Sequence, residues 1–297
     1  MPASFRPALA ALSLVAGTAA GCVEVSAVDG LRYVDRQEKR FTVQGRPELT
    51  VSTFDGSIEV RPWDQPEVQV VVERRAATRE DAERFDLRME QDGDRITVAV
   101  RHPDRAFDWM LGGRSARLII SVPAASDLQA RSGDGSLDVE GLTGRIELFT
   151  GDGSIRGNRL AGELRLGTGD GSIRMSEASG NLTAQTGDGS VNIEGALTGV
   201  TVRTGDGTVT LVASSGSAAT GDWTIATGDG SVTLELPDAF NADLDAHTGD
   251  GRIAVEELTV SEVSGRMAKN RLRGQLGSGG RSLRIRTGDG SITLRKH

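Results

Sequence analysis

Eight aspartates, Asp134, Asp152, Asp170, Asp188, Asp206, Asp229, Asp250 and Asp289, each stand between two glycines, and the first five are spaced eighteen residues apart. Carboxylates held in register within several ångströms repel one another. Either backbone amides hold each one locally, or a hard, oxygen-seeking cation such as calcium bridges them. Calcium-binding β-rolls repeat Gly-Gly-x-Gly-x-Asp in every half coil, and Arg156 to Leu164 contains nothing of that kind. The eight residues therefore read as structural corners, with an ion ladder as the alternative and no metal ligand assigned.

A second chemistry open to such a row is cleavage of an acidic polysaccharide, for which Asp152, Asp170 and Asp188 would work with Arg156, Arg165 and Arg174. An active site needs one singular constellation, whereas these residues repeat uniformly. The histidines, His102, His247 and His297, stand in unrelated contexts, and His247 beside Thr248 reads as a solvated turn residue. No nucleophile elbow, zinc spacing or phosphate-cradling loop occurs. The expectation is a protein without catalytic residues or cofactors.

The elements that position the aspartates follow from the residues around them. Apolar residues lie six and four positions before (Leu164 and Leu166, Leu182 and Ala184, Val200 and Val202) and three and five after (Ile173 and Met175, Val191 and Ile193, Val209 and Leu211). This is the period-2 signature of strands with one buried face. The offsets are even before the aspartate and odd after it, so Gly-Asp-Gly switches parity, as a corner between two inward-pointing strands must. The second corner is small and polar, as from Ser176 to Gly180 and from Gly195 to Gly199. A meander of hairpins also fits strand–turn–strand, but only stacked coils gain from a fixed period, placing Thr on Thr and Asp on Asp. The predicted fold is all-β, a single-stranded parallel β-solenoid of about eighteen residues per coil, right-handed like other parallel crossovers. Corner glycines are expected to supply φ > 0, and each aspartate to accept from the amides after it. Eight or nine coils at a strand spacing of ~4.8 Å make a rod on the order of 40 Å long.

A degenerate copy, Leu49, Val51, Thr53, Asp55, Gly56, Ser57, Ile58 and Val60, places the start of the architecture before residue 60. Beyond it, Val68 to Glu73 reads as a strand, and Thr78 as the cap of a short helix through Phe85. Asp92-Gly93 reads as a hairpin turn between Leu87–Glu90 and Ile96–Val100. The interval of 39 residues from Asp250 to Asp289 suggests one coil that has lost its signature. A glycine-rich run, Gly274 to Gly280, suggests a long loop before the final strand pair. The expected organisation is a signal segment (1–21), an anchor and linker (22–39) and one β-solenoid domain (40–297). The domain's first coils (40–123) are irregular and its repeats (124–297) regular.

Arg6, the apolar stretch Ala8 to Ala16 and Ala19-Ala20-Gly21-Cys22 resemble a bacterial lipoprotein signal, whose cysteine becomes the lipidated first residue. Cys22, the single cysteine of the chain, is the expected membrane anchor. The resemblance implies an exported protein of the cell envelope, held at the outer membrane on its periplasmic or surface side. The net charge of −8 conceals a basic segment at 265–297, with nine Lys and Arg against Asp289 alone. An acidic, exported chain without aromatic–basic grooves is not expected to bind nucleic acid.

Ser121-Val122-Pro123-Ala124, then Leu128-Gln129-Ala130-Arg131-Ser132-Gly133-Asp134-Gly135-Ser136 and the following Thr-Gly-Asp-Gly-Ser units, resemble the bacterial DUF4097 proteins. So does the closing Leu283-Arg284-Ile285-Arg286-Thr287-Gly288-Asp289-Gly290-Ser291-Ile292. That family of β-strand repeats is often given the adhesin label. The resemblance implies a β-solenoid exposed in the envelope that binds or scaffolds an unknown envelope protein or glycan, and it brings no catalytic residues.

Overall fold

The structure is a computed structural model and describes residues 23–29, 32–101, 115–263 and 269–297. Cys22 and His102 lie outside the described residues. Among the described residues, twenty-four strands belong to one hydrogen-bonded sheet, with one short helix between the fifth and sixth. No helix among the described residues is long and apolar enough to cross a membrane.

The repeat folds as its parity requires. Strands β9 (Asp127–Ser132), β11 (Thr143–Phe149), β13 (Ala161–Gly167), β14 (Ile173–Gln185) and β15 (Val191–Thr204) stack in parallel, with Leu128 beside Ile146, Ile146 beside Leu164, and Leu182 beside Val200. After each corner, β10 (Leu137–Glu140), β12 (Ile155–Asn158) and the first half of β14 stack likewise, Leu137 beside Ile155 beside Ile173. The inward residues of both faces meet in a thin aliphatic core: Leu164, Leu166, Ile173 and Met175 are each no more than 2% exposed. Each apolar row buries one side chain per coil at ~4.8 Å intervals, so the core grows with coil number rather than with thickness. Where a coil lacks an inward side chain, at Gly157, Met175 and Leu160 fill the space.

The second corners need a left-handed residue in successive coils: Gly141 (φ 65°), Arg159 (φ 51°) and Glu177 (φ 52°). An L-residue there costs about 1 kcal/mol relative to glycine. Glu177→Gly is therefore expected to raise stability by nearly that amount, less the entropy glycine adds to the unfolded chain, read as a higher denaturation midpoint.

The fold is all-β as expected, and its coils stack in chain order in the middle while the order is interleaved at both ends. Near the N-terminus, β3 (Glu48–Thr53) lies between β9 and the later strand β7 (Arg95–Arg101), and β4 (Ile58–Trp63) between β10 and β8 (Ser115–Pro123). The early copy thus stacks as expected, but inside the coil that follows it in sequence. The far end repeats the device. After β16 (Val209–Ala213) come β17 (Trp223–Thr227) and β18 (Val232–Leu236), then β19 (Ala242–Thr248) and β20 (Ile253–Glu256). The final pair, β23 (Ser282–Thr287) and β24 (Ile292–Lys296), inserts between them: β23 separates β17 from β19, and β24 separates β18 from β20.

Antiparallel strands then cover most of the open edges, which would otherwise template aggregation. On the N-terminal side β5 (Glu67–Ala76) pairs with β8, β2 (Arg32–Thr42) with β5, β1 (Val23–Asp29) with β2, and β6 (Asp86–Asp92) with β7. The segment read as anchor and linker thus contains β1 and most of β2. On the C-terminal side β22 (Arg271–Leu276) covers β19, with β21 (Val260–Ser261) beyond it. This corrects the expectation of a degenerate coil between Asp250 and Asp289: an antiparallel cap occupies that interval, its strand β22 takes the start of the glycine-rich run, and residues 277–281 form the loop before the final strand pair. The local readings at the start hold. α1 (Arg79–Glu83) is capped by Thr78, whose hydroxyl accepts from the Asp81 amide at 3.1 Å. Gly93 turns the β6–β7 hairpin with φ 61°.

Candidate functional site: the aspartate edge and the outer faces

The edge is built by threonine rather than by aspartate. Thr168 points inward and is 9% exposed. Its hydroxyl lies 2.8 Å from the Gly153 carbonyl and 3.0 Å from the Gly151 carbonyl of the preceding coil, and accepts from the Gly171 amide of its own corner. Thr150, Thr186, Thr204, Thr227, Thr287 and Thr248 repeat the contact with their neighbours. From Gly151 onward the first glycine of each corner donates to the carbonyl of the equivalent glycine on the neighbouring coil, as Gly169 does to Gly151, while Gly133 donates to Thr53. Corner amides are thus satisfied by the neighbouring coil, as buried backbone groups must be.

Two expectations about the corner change. Second-corner glycines such as Gly141 and Gly180 do supply φ > 0, but among the described Gly-Asp-Gly corners and their degenerate copy only Gly56 does, at 129°. Glycine is required instead because backbones approach closely: a Cβ on Gly153 would lie 2.1 Å from the Gly135 carbonyl oxygen, and one on Gly189 1.9 Å from that of Gly171. The amide bond expected of each aspartate is found at Asp55, which accepts from Gly56. The other corner carboxylates, Asp134, Asp152, Asp170, Asp188, Asp206, Asp229, Asp250 and Asp289, stand exposed along one edge. Several lean along the stack. A Cβ on Gly169 would meet the Asp152 carboxylate at 2.9 Å, and one on Gly187 that of Asp170 at 2.9 Å. The spatial order of the row follows the interleaved coils, with Asp55 first and Asp289 inside Asp250.

Asp55 titrates above the ordinary carboxylate range because it is partly buried and because Asp134 stands on the next coil, against the lowering effect of the Gly56 amide. A raised folded-state pKa means that stability is fully present below the unfolded value and is lost as pH rises through the folded one. Asp55→Asn is therefore expected to melt higher than the parent at pH 7. The two should converge at about pH 3, where the unfolded carboxyl is also protonated.

Among the described residues no three acidic, histidine or cysteine side chains converge as metal ligands would. The glycan-cleaving set is also dispersed. Arg156 and Arg174 are register neighbours on the outer face after the corner, whereas Arg165 lies on the other face and pairs with Glu147 at 3.1 Å and Glu163 at 2.5 Å. His247 is a half-buried residue of β19 rather than a solvated turn residue, its Nδ1 lying 3.1 Å from the Asn270 carbonyl oxygen. His297 lies 3.7 Å from Glu235. Four of the nine cations of the basic segment are paired in place: Arg273 and Arg286 meet Asp245, Arg295 meets Glu235, and Lys296 meets Asp238. Burial pushes Asp245 up, but hydrogen bonds from Arg286 and Arg273 outweigh it and hold the carboxyl below its ordinary value.

The outer face before the corners carries a groove of about 420 Å³ that sequence reasoning missed, lined by Glu48, Arg95, Asp127, Gln129, Arg145 and Glu147 among others. Arg95 pairs with Glu48 at 2.9 Å, and Arg46 reaches Asp127 at 2.6 Å. Arg145 meets Glu163 at 3.5 Å, and Gln129 donates to Glu147 at 3.2 Å. These residues come from β3, β7, β9 and β11, whose adjacency depends on the interleaved end, and no local motif announces it.

No protein of curated function matches the chain in sequence. Among solved structures, a "putative cell adhesion protein" from Clostridium sporogenes is 14% identical, with a TM-score of 0.28, over 88% of this chain and 100% of that one. A "putative lipid binding protein" from Parabacteroides distasonis is 12% identical, with a TM-score of 0.49, over 87% of this chain and 96% of that one. A "putative adhesin" from Bacteroides fragilis is 9% identical, with a TM-score of 0.40, over 88% and 97%. The model of one protein family, Toastrack DUF4097, matches residues 47–295, and the chain belongs to that family.

Proposed function

We propose that this protein is a non-enzymatic binding or scaffolding module of the cell envelope, anchored through a lipid on Cys22. The observation that carries this reading is the outer face before the corners. There, charged side chains of both signs stand in rows set by the stack and are already paired across coils, around a groove open to a polar partner. Such a face supplies orientation and specificity without a reacting group. On this reading the ligand is an envelope protein or a glycan. The same reading takes the central coils as a right-handed, single-stranded winding of about eighteen residues, the hand usual for parallel crossovers.

The test is a crosslinking pull-down from native envelopes with the wild type, with Cys22→Ala and with the groove variant Arg95→Ala/Arg145→Ala. One partner captured by the wild type, and lost with the groove variant, is the expected result. Enrichment that also falls with Cys22→Ala places the act of binding at the membrane. Capture of nothing by any of the three would leave a passive rod and remove the adhesin label.

A further inference from the structure

The coil formed by β23 and β24 occupies a slot rather than an end. Its neighbours on both sides carry equivalent residues at the same register: Trp223, Leu283 and Leu244 form one apolar row, Thr227, Thr287 and Thr248 an identical one, and Val232, Ile292 and Ile253 a third. The slot is also charged against its occupant. Residues 282–297 carry Arg284, Arg286, Arg295 and Lys296 against Asp289, and the slot offers Asp245, Glu235 and Asp238. Arg286 donates to the Asp245 carboxylate at 2.8 Å and to its carbonyl at 2.7 Å, and Lys296 reaches Asp238 at 2.8 Å. The slot therefore selects a basic Thr-Gly-Asp-Gly coil over the chain's other repeats.

The strand leading to that coil lies on the wrong side of a neighbour. β22 pairs with one edge of β19 and β23 with the other, so residues 277–281 must pass across the end of β19. Three glycines in this crossing, Gly277, Gly279 and Gly280, have φ of 57°, 74° and 139°. A glycine-rich connection to an element whose contacts are all made with other coils is the arrangement in which identical elements exchange between copies at low cost. We propose that the slot between β17/β18 and β19/β20 is an interaction surface for a second copy of this chain, which fills it in trans with its own β23/β24 during folding.

The test uses full-length chains carrying Cys22→Ala, one with Thr224→Cys and one with Arg284→Cys, unfolded together, refolded at high concentration and oxidised. Thr224 and Arg284 are partners across β17 and β23. A disulfide between two different chains forms efficiently only when a coil of one sits in the slot of the other. The expected result is a disulfide-linked heterodimer several-fold above a control that pairs Thr183→Cys with Arg284→Cys, positions on strands that do not touch. A heterodimer yield no greater than the control overturns the proposal, whether or not a chain carrying both substitutions closes its own disulfide. Deleting Ser278, Gly279 and Gly280 leaves about 10 Å of extended chain, no more than the straight distance of two strand spacings of ~4.8 Å and without slack to go around the end of β19. That variant is expected to shift toward dimers by light scattering, and a folded monomer would count against exchange.

Discussion

Gly171→Ala is expected to destabilise the protein by about 3 kcal/mol or more, a large fraction of the stability of an ordinary domain. The added Cβ would lie 2.0 Å from the Gly153 carbonyl oxygen, 2.6 Å from its carbon and 2.8 Å from the Thr168 hydroxyl. Two of those atoms are main chain in a coil that is itself hydrogen-bonded on both sides, so none can rotate away. The contact also carries the Thr168 bridge, and moving the corner breaks hydrogen bonds to Gly153 and Gly151. The contrast is Gly93→Ala, where φ is 61° but nothing lies within 4 Å of the new Cβ. There only the left-handed backbone opposes alanine, at about 1 kcal/mol. Denaturant midpoints of the two variants separate close approach from conformational freedom. Equal small losses would show that the corner relaxes and that the stacking argument is wrong.

Arg74→Met is expected to cost about 3–5 kcal/mol, and Asp35→Leu a similar amount, whereas the two together should lie close to the parent. Arg74 and Asp35 stand opposite each other in the β2–β5 ladder, with side chains 9% and 12% exposed. The guanidinium Nε donates to the carboxylate at 2.7 Å. Either single change leaves a charge buried without its counterion, which is the expensive state, while the double change removes both charges. A double-mutant cycle by chemical denaturation measures the coupling. Additive losses would mean that water reaches the pair and that the cap is looser than its burial implies.

The corners were legible because their cause is local. Thr-Gly-Asp-Gly fixes where the chain turns, and the parity of apolar offsets fixes which residues face in, so Leu164, Ile173 and their equivalents could be placed in the core directly. Thr78 and Asp92-Gly93 announced a cap and a hairpin for the same reason. The role of the glycines was misread because a requirement for φ > 0 and a requirement for backbone approach select the same residue. Only the neighbouring coil, such as Gly153 above Gly171, distinguishes them. The order of the end coils left no trace, since β3 beside β9 and β17 beside β23 satisfy the same template as any sequential neighbours. The groove around Glu48, Arg95 and Asp127 was hidden with it.

The insertion of β23 and β24 also separates the end of the sequence from the end of the stack. In a simple repeat array the last repeat contacts one neighbour and frays first. Here the final coil is bonded on both sides, and the outer layer is made by β19, β20 and β22, which precede it. Amide protons of Leu283, Ile285, Ile292 and Leu294 should therefore outlast those of Ile253 and Val255 in hydrogen exchange, and local opening at this end should run against the direction of the chain.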